Sequence, residues 1–187
     1  MERIVLASAS PRRRQLLEWA EIPFDIVVRD TPETWPPGLP INDIPVHIAR
    51  NKALAVLPAA NAGRLILAAD TVVVLGEEII GKPKDREDAV NILLRLAGRR
   101  HEVITGVALL KGETELSFAD RTAVWFHELT RTEIEGYVDR YKPYDKAGAY
   151  AIQEWIGVVG ISRIEGDFYN VMGLPVSRVV QALRQWA

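Results

Sequence analysis

Two features of the order of elements predict an α/β fold with a mixed sheet. Through the first half of the chain, short apolar or β-branched runs alternate with helical stretches, the pattern of parallel strands joined by crossovers. Two longer strand-like runs then meet around Lys111-Gly112 and add an antiparallel pair. The length, 187 residues, suits one domain spanning 1–187, and no internal repeat is visible.

Ile4-Val5-Leu6 is the first strand. Ser10 then supplies an N-cap and Pro11 the first position of a helix reaching about Ala20. Pro23 punctuates the chain before a second strand over 24–28. Pro32, Pro36, Pro37, Gly38 and Pro40 make 29–44 a long surface loop, of a length that is commonly functional. Asp43 is placed to cap a helix over about 44–57, Asn61-Ala62-Gly63 to turn the chain, and the apolar run 65–69 stops at Asp70. Strands over 71–75 and 78–80 are joined at Gly76-Glu77. A helix over 86–96 gathers Ala89, Ile92, Leu93 and Leu96 on one face and ends at Gly98. The hairpin comprises 102–110 and 113–126. Thr130 and Glu133 form a capping box for a helix reaching about Tyr141. Strand-like runs follow near 149–152 and 158–164, and Pro175 opens a last helix with a Val179, Val180 and Leu183 stripe.

With 23 Lys and Arg against 25 Asp and Glu the net charge is −2, so no global surplus exists to neutralise nucleic-acid phosphates; only a local basic cluster could do so, and Arg12-Arg13-Arg14 is one. No cysteine is present, which excludes disulfides, thiolate metal sites and cysteine nucleophiles. The start of the chain lacks a secretory pattern and no apolar run reaches 18 residues, so a cytoplasmic protein with neither membrane nor nucleic-acid partners is expected.

Ser8-Ala9-Ser10-Pro11-Arg12-Arg13 joins a strand to a helix N-terminus, where free N–H groups and the positive dipole end hold anions. Hydroxyls and guanidiniums there match phosphate. The alternative is a capped helix with a solvated basic first turn, although arginine is the wrong sign for that dipole end. Asp70 lies between apolar strand residues on both sides and needs a partner. Taken alone, Lys52 reads as a helix-surface charge and Lys82 as a solvated turn, the latter stiffened by Gly81 and Pro83. His47, His101 and His127 show no ligand spacing.

Together, the Ser8–Arg13 segment, Ala69-Asp70-Thr71-Val72, Gly81-Lys82-Pro83, Thr105-Gly106-Val107, Asp145-Lys146-Ala147-Gly148-Ala149-Tyr150-Ala151-Ile152-Gln153 and Asn170-Val171-Met172-Gly173-Leu174-Pro175 resemble the Maf family, in order, from residue 4 to about 185. The resemblance implies an elongated two-lobed α/β fold with a twisted mixed sheet and a central cleft, similar to that of inosine triphosphatase. It implies hydrolysis of a nucleoside triphosphate to monophosphate and pyrophosphate with a divalent cation, Mg or Mn. The family's catalytic acid falls on Asp70, its phosphate-binding residues on Ser8, Arg13, Lys52 and Lys82, and its metal-binding carboxylates on Glu33 and Asp70. Thr31-Pro32-Glu33-Thr34 departs from the more acidic stretch usual at that point.

The branch of the family that hydrolyses dTTP and UTP carries Arg, Thr and Gln where this chain has Arg12, Thr71 and Gln153, and the 7-methyl-GTP branch differs there. The resemblance thus implies a pyrimidine triphosphate substrate and a role in clearing modified pyrimidine nucleotides, and it leaves homodimer formation open. The competing readings are a 7-methyl-GTP pyrophosphatase and a nucleotide-binding regulator of cell division without significant turnover. A pure binder has no need of Asp70.

Overall fold

A computed structural model describes residues 2–60 and 63–186; the expected turn at Asn61-Ala62-Gly63 has its first two residues outside the described residues. The elements are β1 (Ile4–Leu6), α1 (Pro11–Trp19), β2 (Phe24–Ile26), α2 (Asp43–Val56), β3 (Ile66–Leu75), β4 (Glu78–Ile80), α3 (Arg86–Leu96), β5 (Arg100–Lys111), β6 (Thr114–Phe126), α4 (Arg131–Tyr141), α5 (Trp155–Gly160), β7 (Ile161–Glu165), α6 (Phe168–Met172) and α7 (Val176–Leu183). The strands hydrogen-bond in the order β2-β1-β3-β5-β6-β7, with β4 on β3. β1 is parallel to β2 and β3, whereas β4 and β7 are antiparallel to β3 and β6, so the sheet is mixed as expected. Among the described residues no helix is long and apolar enough to cross a membrane.

The chain forms two compact units. The first comprises Met1–Thr71, Thr105–Asp120 and Gly173–Ala187, and the second Val72–Ile104 and Arg121–Met172. In the first, Val5 and Ala7, Ala49, Ala53 and Val56 of α2, Ile66 and Ala68 of β3, and Ala108 and Leu110 of β5 form one buried cluster. Alanines on the inner face of α2 let that helix lie close to the strands. Its seat is tighter still at Gly106 of β5, where a Cβ would stand 2.1 Å from the Val46 nitrogen and 2.2 Å from the Pro45 carbonyl carbon. Only glycine lets β5 pass so near the first turn of α2.

Several expectations are corrected. Asn42, not Asp43, precedes the first helical residue of α2 and makes no side-chain cap; Asp43 lies in the first turn, where its charge suits the dipole. The expected runs 65–69 and 71–75 are one strand, β3, which continues unbroken from Ile66 through Asp70 to Leu75. β2 ends at Ile26 rather than at residue 28. Residues 149–152 are not a strand: Gly148 and Ala149 take φ of 71° and 59°, which breaks extended backbone. Residues 158–160 belong to α5, and the strand begins only at Ile161. There the Ile152 carbonyl oxygen occupies the space of a Gly157 Cβ, 1.7 Å away, so a tight return of the chain overrides the β-branched composition of Val158-Val159.

In the second unit, His101, Phe126 and Tyr150 meet edge to face. The His101 Nε2 lies 2.7 Å from the Tyr150 hydroxyl, and Nδ1 is buried with no hydrogen-bond partner among the described residues. Burial, helped by the charge of Arg100, lowers the His101 pKa to about 4. The folded state therefore holds the neutral ring, and the unfolded chain takes up the proton first as the pH falls.

Two outcomes are expected. Gly106→Ala should lower the unfolding free energy by about 3 kcal/mol, read from urea titrations, because the clash is with backbone that cannot rotate away. On acidification from about 6.5 to about 4 the wild type should lose about 3 kcal/mol that a His101→Gln variant does not lose, measured by urea unfolding across that range.

Candidate functional site

The first turn of α1 is set by Ser10, whose hydroxyl accepts the Arg13 N–H at 3.5 Å, and by proline at the helix start. Arg13 shares a face with Leu16 and Leu17, at the i, i+3, i+4 spacing, and so turns inward and is 8% exposed. Its Nε donates to the Gly173 carbonyl at 2.8 Å, one terminal nitrogen to the Ser8 hydroxyl at 3.2 Å and the other to the Thr71 hydroxyl at 3.0 Å. Thr71 in turn shares a hydrogen bond of 2.9 Å with the fully buried Thr105. Burial lowers the Arg13 pKa and the neighbouring Arg12 adds to this, while the negative charges of Asp70 and Glu33 oppose it.

A second group adjoins the first through β3, where Asp70 precedes Thr71. The Lys52 ammonium, on α2, lies 2.6 Å from Asp70 Oδ1 and 2.8 Å from Glu33 Oε1. Asp70 is 8% exposed, and the loop residue Glu33 is largely exposed. One cation therefore joins a strand carboxylate to a carboxylate of the long loop. Among the described residues no cluster of three or more His, Asp or Glu side chains could hold a metal.

The first unit thus gathers Ser8, Arg12, Arg13, Glu33, Lys52, Asp70 and Thr71 of the residues singled out in the sequence. Lys82 and Gln153 are exposed residues of the second unit, the former between β4 and α3 and the latter in the turn before α5. Thr105 and Gly173 were not assigned a role from sequence, yet both sustain the Arg13 network. The readable signal was the polar side chain of Thr105 amid the apolar run of β5, since a buried hydroxyl requires a partner.

A family model described as Maf-like protein matches residues 3–186. The chain is 50% identical over 182 residues to the dTTP/UTP pyrophosphatase of Cytophaga hutchinsonii, covering 97% of this chain and 83% of that one. It is 45% identical over 185 residues to the dTTP/UTP pyrophosphatase of Parabacteroides distasonis, covering 98% and 96%. It is also 45% identical over 186 residues to the protein of that name from Bacillus cereus, covering 100% and 96%. A solved structure of the Staphylococcus aureus Ham1 protein aligns with a TM-score of 0.47 at 16% identity, over 68% of this chain and 73% of that one.

Arg13→Lys should cost about 2 kcal/mol of stability in urea unfolding, because one ammonium cannot serve three acceptors that a guanidinium fork reaches together. A solvated arginine would lose less than about 0.5 kcal/mol.

Proposed function

The chain belongs to the Maf-like family, and from that premise we propose that it hydrolyses nucleoside triphosphates, dTTP and UTP foremost, to the monophosphate and pyrophosphate. Three relatives at 45–50% identity over nearly the whole chain bear the name dTTP/UTP pyrophosphatase. The observation that carries the chemistry is the Lys52 ammonium shared between Asp70 and Glu33 beside the buried Arg13. Such a reaction needs little covalent participation by the protein and depends on positioning and charge.

Arg12, Arg13, Lys52 and Lys82 against Glu33 and Asp70 leave two net positive charges, short of the roughly four negative charges of a triphosphate. A divalent cation, Mg²⁺ or Mn²⁺, fits this deficit. Two carboxylates already converge on one positive centre, and Mg²⁺ takes one or two carboxylates along with substrate phosphates rather than an all-protein cage. Glu33 and Asp70 would hold the ion, which when bound would neutralise phosphate charge and polarise a phosphoryl oxygen. Ser8, Arg13, Lys52 and Lys82 would bind phosphate oxygens. As Lys52 exchanges its carboxylate partners for phosphate, Asp70 Oδ1 becomes available to accept the proton of the water that attacks the α-phosphorus, and pyrophosphate leaves on the opposite side.

Base choice is assigned to Arg12, Thr71 and Gln153. A pyrimidine edge offers O2 and O4 as acceptors around an N3–H donor, and a carboxamide can donate and accept at once. Polar groups built to be satisfied reject a ligand that leaves them unpaired. The cytoplasm, where nucleoside triphosphates are used, is the compartment this reading implies.

A panel of nucleoside triphosphates with Mg²⁺, resolving pyrophosphate from orthophosphate, tests the proposal; orthophosphate release, or purines turned over faster than dTTP and UTP, would overturn it. Asp70→Asn should lower kcat at least about 100-fold while triphosphate binding persists in calorimetry, because the amide keeps the shape but not the basicity. Gln153→Glu should reduce kcat/KM for UTP much more than for GTP.

A further inference from the structure

Within the second unit, Gln153 stands in a turn whose other residues are tied down. Ala151 and Ile152 are buried and Gln153 is exposed. The Glu154 N–H donates to the Ala151 carbonyl at 3.1 Å, and the Gly157 N–H to the Glu154 carbonyl at 2.9 Å. Both flanks of Gln153 meet at one side chain, Tyr137 of α4, which is 1% exposed. Its hydroxyl accepts the Ala151 N–H at 3.2 Å and donates to Glu154 Oε2. The other oxygen of Glu154 faces the Lys146 ammonium at 3.8 Å, and Lys146, 9% exposed, is itself paired with Asp145 at 2.7 Å.

A buried phenol is satisfied by one partner. Here one phenol bridges residues 151 and 154, the two sides of a single displayed glutamine, and the carboxylate on one side is oriented by an ammonium as well. A buried polar network whose members are hydrogen-bonded holds its residues rigidly in one arrangement. Burial and the adjoining Glu154 both raise the Tyr137 pKa, so the hydroxyl remains a donor across the neutral range.

We propose that Tyr137 is a positioning residue for base selection, clamping both flanks of the turn that displays Gln153, with Glu154 and Lys146 completing the clamp. The proposal rests on the reading of Gln153 as a base-selecting residue. A side chain that discriminates by hydrogen bonding must be held to within a fraction of an ångström, since displacement of about 1 Å can cost roughly 100-fold. The loss should therefore fall on discrimination rather than on turnover in general.

The test compares kcat/KM for UTP and GTP in the wild type, Tyr137→Phe, Gln153→Ala and the double variant. Tyr137→Phe keeps the ring and removes the hydroxyl. It should narrow the UTP:GTP ratio by about tenfold and, placed on Gln153→Ala, should narrow it no further. If Tyr137→Phe does not fold, Glu154→Ala, which removes one of the two anchors at a more exposed residue, should produce the same narrowing. A ratio within about twofold of wild type in a folded Tyr137→Phe or Glu154→Ala protein, while Gln153→Ala narrows it, overturns the positioning role and leaves the base-reading role intact. An equal narrowing in both backgrounds also overturns it, because Tyr137 would then act independently of Gln153. An unchanged ratio in Gln153→Ala removes the base-reading role and the proposal with it.

Discussion

The buried guanidinium of Arg13 imposes a constraint that much of the first unit serves. Removing such a charge from water is costly unless its N–H groups find acceptors in the right directions. Those acceptors come from three places distant in sequence: the Ser8 hydroxyl after β1, the Thr71 hydroxyl on β3 and the Gly173 carbonyl ahead of α7. Gly173 adopts a φ of 118°, a conformation that a side chain would strain, and so delivers its carbonyl where another residue could not easily do so. Thr105 in turn pairs the Thr71 oxygen from β5. A single planar cation thereby fixes how two strands, the start of α1 and the approach to α7 meet.

The same logic links packing to the carboxylates. Lys52 reaches Asp70 because α2 lies close over the strands, and it lies close because Ala49 and Ala53 face the sheet and Gly106 leaves room for its first turn. A bulkier residue at any of these positions would lift the helix and lengthen the reach to Asp70. The position of a charged group is thus determined by the smallest side chains near it.

What the sequence made legible was local. Ser10-Pro11 marked the start of α1, Thr130 with Glu133 marked that of α4, and Pro175 preceded α7, because each cap acts within one turn of the chain. Asp70, embedded in apolar strand, announced that it needed a partner, but nothing local named Lys52, which by itself resembled any lysine on a helix surface. That pairing, like the Arg13 network, exists only after distant segments meet; the strand-to-helix pattern marked Arg13, but only the family resemblance gave Lys52 a role. The segment from 147 to 160 misled for the same reason. Its β-branched composition spoke for strands, whereas positive φ at Gly148 and Ala149 and the Ile152 carbonyl against Gly157 made it a tight return.

The lysine held between Asp70 and Glu33 has a further consequence on the proposed chemistry. Until a polyanion arrives the carboxylates and the ammonium satisfy one another, so the resting enzyme would be idle, with little tendency to activate stray water. Cleavage divides the substrate's charge between two smaller anions, and neither competes for the ammonium as strongly as the intact triphosphate did. Return of Lys52 to its carboxylates would then favour departure of the products, and the lysine with its two carboxylates would serve as both safety catch and ejector.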